Sequence, residues 1–331
     1  MTVHAAILGV AGTVLDADER DFLRDADPWG FILFARNVAT PGQLRVLTDS
    51  LREAVGRDAP IMIDQEGGRV QRLGRPHWRE FLPALDQMNR AHDPMRAQWV
   101  RNRLIAQELH AAGIDVNCAP LADLVEDESH PVLKNRLYGA DIAVVVEAAR
   151  IAADAMLAGG VLPVLKHIPG YGRATVDGHR DLPRISASRE ALSARDFAPF
   201  HALRDMAMGM TAHVVMEAID PDRAATVSPV VMEVIRQGIG FDGLMMTDDI
   251  GMEALSGTMG DRAAASVAAG CDLVLLGNGS RDEMADTIAA AGSLDARAQE
   301  RSDRALAQRR APDPVDIRAL DVELSELLTT G

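Results

Sequence analysis

The feature that most constrains this chain is an alternation. Apolar runs of strand length recur eight times: Ala6–Leu8, Phe31–Phe34, Pro60–Ile63, Ile114–Asn117, Leu162–Leu165, Met208–Val214, Leu244–Met246 and Leu273–Leu276. Between them lie stretches with helical periodicity. Pro41–Val55 places Leu44, Leu47 and Leu51 on one face, Pro94–Ala112 places Val100, Leu104 and Leu109, and Asp141–Leu157 is rich in Ala and Val. Arg189–Met206 follows a serine cap, and Ser228–Gln237 opens with a serine and a proline in its first turn. Asp261–Ala269 is short and Ala-rich. Runs apolar throughout suit strands covered on both faces, so the alternation predicts an α/β fold, a (β/α)8 TIM barrel, over a doubly wound sheet. No composition shift marks a boundary. We expect one domain over residues 1–331, with a helical tail from about 282 interrupted at Pro312 and Pro314.

In such a barrel the active site forms at the C-terminal ends of the strands. Those ends read Arg36-Asn37, Asp64, Asn117, Lys166-His167, His213, Asp248-Asp249 and Asn278. Any one of them suits a cap or a surface position; their repetition, strand after strand, predicts a polar mouth. After the fifth run comes Lys166-His167-Ile168-Pro169-Gly170-Tyr171-Gly172 and then Asp177-Gly178-His179, a stretch broken by glycines and prolines and read as a long surface loop. Asp177 and His179 stand two apart, so the carboxylate can orient the imidazole for proton transfer.

After the third run, Asp64-Gln65-Glu66-Gly67-Gly68-Arg69-Val70-Gln71-Arg72 packs acids, arginines and amides around a glycine pair. The glycines permit a sharp turn and let a ligand approach the backbone. Sugar hydroxyls need donors and acceptors at this density. A salt-bridged turn accounts equally well for Glu66 and Arg69, less well for Asp64. After the seventh run, Asp248 and Asp249 project in different directions if strand geometry persists, so one of them faces the mouth. A carboxylate there can be a nucleophile, a base or a metal ligand. Metal-type His-carboxylate spacing is absent, and Asp248 is read as a nucleophile. Arg136, in the long fourth loop, suits an anion or hydroxyl contact or a solvent-facing position.

Glycine-rich pieces such as Gly170-Tyr171-Gly172 and Gly277-Asn278-Gly279 lack phosphate-loop spacing. The net charge of −15 argues against nucleic acid and anionic membranes as partners. Cys118 and Cys271 read as buried reduced thiols. No apolar stretch approaches the roughly 20 residues that cross a bilayer. The N-terminus lacks the basic residue a signal peptide carries, so a cytoplasmic location is expected.

Four segments taken in order, Gly30–Asn37, Ile61–Leu73, Lys166–Pro183 and Phe241–Ala254, resemble glycoside hydrolase family 3, specifically its single-domain bacterial β-N-acetylglucosaminidases. The likeness runs from about Gly12 to Leu276. It implies a (β/α)8 barrel that removes terminal N-acetylglucosamine with retention of configuration, in the cytoplasm, from cell-wall fragments released during peptidoglycan recycling. Carried over by motif, Asp248 is the nucleophile, His179 the general acid/base and Asp177 its partner. Asp64, Arg72, Arg136, Lys166 and His167 hold the terminal sugar. The resemblance implies no metal or organic cofactor, a small carbohydrate as partner, and a monomer. A β-glucosidase or phosphorylase of the same superfamily, or a sugar-binding homologue without catalysis, are the alternatives. Three positions depart from the family's pattern: Tyr171 replaces a usual His, Gly178 a usual Ser and Asn135 a usual Asp. Glycine at 178 loosens the turn between Asp177 and His179, since it is costlier to order.

Overall fold

The computed structural model describes residues 3–176 and 181–329. Eight parallel strands form its centre. They are β1 (His4–Gly9), β2 (Pro28–Leu33), β3 (Ile61–Ile63), β4 (Val116–Asn117), β5 in two pieces (Leu162–Pro163 and Leu165–Ile168), β6 (Met208–Thr211), β7 (Leu244–Met246) and β8 (Val274–Leu276). One sheet runs β8-β1-β2-β3-β4-β5, and a second joins β5, β6 and β7. The register places Leu8 beside Leu276 and Phe31, Phe31 beside Ile61, Met62 beside Val116, and Met210 beside Met246. A parallel bridge between Met246 and Leu273 closes the ring from β7 to β8. The expected barrel is therefore formed, by the expected runs in the expected order.

The sequence sets the outer helices through their ends and their buried stripes. In Pro41–Val55 the Thr40 hydroxyl accepts from the Gln43 amide, Pro41 occupies the first turn, and Gly56 ends the helix with φ 65°. Leu44, Leu47 and Leu51 face the barrel. Ala17–Ala26 is a helix that periodicity does not reveal: it buries only Leu23 and Ala26, and its acidic first turn follows the Asp16 cap. The helix expected over 189–206 is broken into Arg189–Ala191, a wide turn over Leu192–Asp196, and Ala198–Ala202. Pro199 has no N–H to continue the ladder, which fits a restart at Ala198.

The last helices are Arg281–Ala291, Ala296–Leu306 and Ile317–Leu328. The third buries Leu320, Leu324 and Leu327. It is tied to the region around helix Pro94–Ala111 by ion pairs Arg96–Glu323 and Arg79–Asp321, both 2.6 Å. Among the described residues no helix is long and apolar enough to cross a membrane. Cys118 and Cys271 are buried and unpaired, as read from the sequence.

Candidate active site

The polar strand ends converge. One pocket at the C-terminal mouth is lined by Asp64, Arg72, Arg136, Lys166, His167, His213 and Asp248, with His130, Tyr171, Val176 and Met252 on its walls. All five sugar-holding residues carried over by motif are in it, together with Asp248. Asp177 and His179 lie outside the described residues; Val176, just before them, lines the pocket.

The chain leaves β3 at Asp64 and folds into a short hairpin, Gln65–Gly67 against Val70–Gln71. Gln65 locks this turn: its amide oxygen accepts from the backbone N–H groups of Arg72 (2.9 Å) and Leu73 (3.0 Å). Its own N–H donates to Asn117 at the end of β4, 3.0 Å away. The glycine pair makes the expected sharp turn, with φ of 102° at Gly67 and 58° at Gly68. What approaches its backbone is protein: a Cβ at Gly67 would lie 2.0 Å from Nη2 of Arg101, and one at Gly68 would lie 2.9 Å from Cα of Pro83.

Around the hairpin two carboxylates and three cations interlock. Lys166 Nζ donates to Asp64 at 2.9 Å and lies 2.8 Å from Glu66. Arg136 grips both Glu66 oxygens, at 2.7 and 2.9 Å, and Arg72 reaches Asp64 at 3.2 Å. Glu66 is thus the salt-bridged residue that its local sequence allowed, held behind the pocket between two pocket-lining cations. Burial works against both carboxylates, but the cations outweigh it. Arg136 and Lys166 hold Glu66 down to about 2, and Lys166 and Arg72 hold Asp64 well below the usual carboxylate range. In turn these carboxylates overcome burial at Lys166 and Arg136, and raise both above their ordinary values.

Lys166 and His167 belong to β5 itself, and here the expected surface loop is corrected. Residues 166 to 170 are buried. Their backbone groups find partners: the Ala122 N–H donates to Lys166 O, the Gly170 N–H to His167 O and the Ala212 N–H to Ile168 O, each at 2.8 Å. Asp123 organises this exit. One of its oxygens accepts from the His167 backbone N–H (3.1 Å) and lies 2.8 Å from His167 Nδ1, and the other accepts from the Tyr171 N–H (2.6 Å). A carboxylate on Nδ1 makes that nitrogen the donor and leaves Nε2 for the pocket. Sequence reasoning missed Asp123; its signal is a single acid in the otherwise apolar run Ala119–Leu124.

The strand β7 ends at Met246, before the two aspartates, and they take different partners. Asp248 lines the pocket with Asp64 and Lys166, and its Oδ1 accepts from the Asp249 N–H at 2.8 Å. Burial would raise the Asp248 carboxyl, but His213, His167 and Lys166 hold it below its ordinary value, so it is ionised near neutral pH. Asp249 turns toward β8, where Oδ1 accepts from the Gly251 N–H (2.9 Å) and the Gly277 N–H (3.1 Å). It borders an adjoining cavity with Phe34, Arg36 and Asn278, which Asp64, Arg72 and Asp248 also line. Burial pushes its carboxyl up to about 6 in spite of those two donors. His213, a strand-end residue without an assigned role in the sequence, donates from Nε2 to the Asp249 carbonyl at 3.0 Å and packs Nδ1 2.7 Å from the Thr226 hydroxyl. Burial lowers its pKa.

Asn135, one of the three departures, donates to Asp86 at 3.3 Å. Among the described residues no group of three or more His, Cys, Asp or Glu side chains is placed to hold a metal.

An eight-stranded barrel whose mouth carries an ionised aspartate beside a tight ring of acids and cations has the equipment of a glycoside hydrolase. Residues 6–308 match the glycosyl hydrolase family 3 N terminal domain. A β-hexosaminidase of Alkalilimnicola ehrlichii is 38% identical over 285 residues, covering 84% of this chain and 82% of the relative; one of Xylella fastidiosa is 37% identical over 281 residues, covering 82% of each. NagZ of Neisseria gonorrhoeae, solved with N-trifluoroacetyl-D-glucosamine, superposes with a TM-score of 0.87 at 28% identity, over 99% of both chains. A family 3 β-N-acetylglucosaminidase of a Paenibacillus species superposes with a TM-score of 0.82 at 28% identity; this chain is covered to 99% but spans 62% of that longer one. The chain belongs to glycosyl hydrolase family 3.

Proposed function

We propose that this protein is a retaining β-N-acetylhexosaminidase, releasing terminal N-acetylglucosamine from cell-wall fragments through a covalent glycosyl-Asp248 intermediate. One observation carries the reading: Asp248, kept ionised, lines the same pocket as Asp64, Arg72, Arg136, Lys166 and His167. The β-hexosaminidase relatives and the sugar-bound NagZ support the choice of an N-acetylated sugar. In this reading the acid-cation ring binds the hydroxyls of the terminal sugar and presents its anomeric carbon to Asp248. His179, oriented by Asp177, protonates the leaving oxygen, then takes a proton from water as the sugar ester breaks. Imidazole titrates near working pH without large tuning.

The test compares 4-nitrophenyl N-acetyl-β-glucosaminide with the corresponding glucoside. Preference for the N-acetylated substrate is expected. Preference for the glucoside would move the protein to the β-glucosidases, and a sugar 1-phosphate formed on adding phosphate would make it a phosphorylase. His179→Ala should slow poor leaving groups by about 10²–10⁴-fold and activated aryl glycosides by less. Equal losses on both would refute the acid/base assignment.

A further inference from the structure

The pocket is held from behind by a group that does not line it. Arg101, in helix Pro94–Ala111, is 1% exposed, yet no carboxylate side chain lies within ion-pairing distance of it among the described residues. Its guanidinium donates to the backbone carbonyl of Glu66 and, at 3.0 Å, to the side-chain oxygen of Gln87. It lies over the Phe81 ring, 5.6 Å from the centroid. Gly67 has its φ of 102° and no side chain where Arg101 sits, so hairpin and guanidinium fit only each other.

An unpaired buried cation is costly, and a neutral side chain of similar volume would avoid that cost. What the charge gains is a fixed Glu66. The Glu66 carboxylate joins Lys166 to Arg136, both of which line the pocket, while Arg101 holds the same residue's main-chain carbonyl. A shift of the Glu66 backbone therefore moves two sugar-facing cations together. We infer that Arg101 is a positioning residue for the sugar-binding ring: it sets Lys166 and Arg136 through Glu66, without touching substrate.

This inference rests on the activity proposed above. The experiment measures kcat and KM of wild type, Arg101→Gln, Arg101→Lys and Gln87→Leu on 4-nitrophenyl N-acetyl-β-glucosaminide, with circular dichroism and thermal unfolding of each. The ring holds the sugar in ground and transition state alike, and a hydrogen bond to a charged group is worth about 10- to 100-fold, so Arg101→Gln should raise KM by about that factor, with kcat changed far less. Arg101→Lys keeps a charged donor and should recover part of that loss. Gln87→Leu removes the second anchor and should raise KM less, in the same direction; it decides the matter if the Arg101 variants do not fold. Folded Arg101→Gln with wild-type KM, or an unchanged KM in Gln87→Leu when the Arg101 variants are unfolded, would overturn the inference alone. Wild-type protein that neither cleaves the substrate nor binds N-acetylglucosamine in calorimetry would overturn the assigned activity, and this inference with it.

Discussion

Asp248 and Asp249 show how far two adjacent identical residues can be separated by their surroundings. One sits among imidazoles and a lysine and is held ionised; the other is buried against backbone and raised to about 6. Asp248→Asn should abolish turnover, whereas Asp249→Asn, which keeps an oxygen for the two N–H donors, should retain it within about tenfold. The reverse pattern would move the nucleophile to Asp249. The raised carboxyl also makes a stability prediction. A group whose folded pKa lies above its unfolded value favours the folded state when protonated, and that advantage is lost as pH rises from 3.8 toward about 6. Asp249→Asn removes the titration, so its thermal midpoint relative to wild type should rise across that interval and level off above it. A difference independent of pH would contradict the assignment. The sequence made Asp64, Lys166, His167 and Asp248 visible because each lies within two residues of the end of an apolar run. Asp123 is marked only as a lone acid in an apolar run, because its partner is a histidine 44 residues further along the chain.

At the scale of elements, the hairpin after β3 has the least tolerance. Gly67→Ala adds a Cβ 2.0 Å from Arg101 and forces a side chain onto a φ of 102°. Left-handed backbone alone costs roughly 1–2 kcal/mol for a non-glycine residue, so a loss of about 2 kcal/mol or more is expected in denaturant unfolding. A loss under about 0.5 kcal/mol would mean that the hairpin yields easily. The last helix can be tested in the same way. Leu324→Ala removes a side chain packed among Leu320 and Leu327 and should cost about 2–5 kcal/mol, read as a lower unfolding midpoint. The strands were legible because each is apolar on both faces. The Ala17–Ala26 helix was not, because two buried residues make no stripe. The surface loop expected after the fifth run was misplaced at its start, since β5 runs on through Lys166 and His167, polar residues whose partners come from the segments that follow β3 and β4.

Across the whole molecule, the ring of Asp64, Glu66, Lys166, Arg136 and Arg72 links β3, β4 and β5, so it bears on folding as well as on the pocket. Its carboxyls are depressed, and their contribution is fully present above the unfolded value, 4.5 for Glu66, and lost as pH falls through about 2. Wild type should lose stability over that interval, and Glu66→Gln, less stable at pH 7 by about 3–5 kcal/mol, should lose less of it. Parallel pH curves for the two would contradict the coupling. The order of strands and the position of the mouth were legible from the alternation alone. The ring was not, because closure of the barrel brings together Asp64 and Lys166, which stand 102 positions apart in the chain. The proposed hydrolysis turns on a bond from sugar to Asp248. It is tested most directly by trapping with a 5-fluoro N-acetylglucosaminyl fluoride, followed by intact mass and peptide mapping. One sugar per chain, on the peptide that contains Asp248 and absent from Asp248→Asn, is the predicted result. A hydrolytically active enzyme that carries no label, or carries it on another residue, would contradict it.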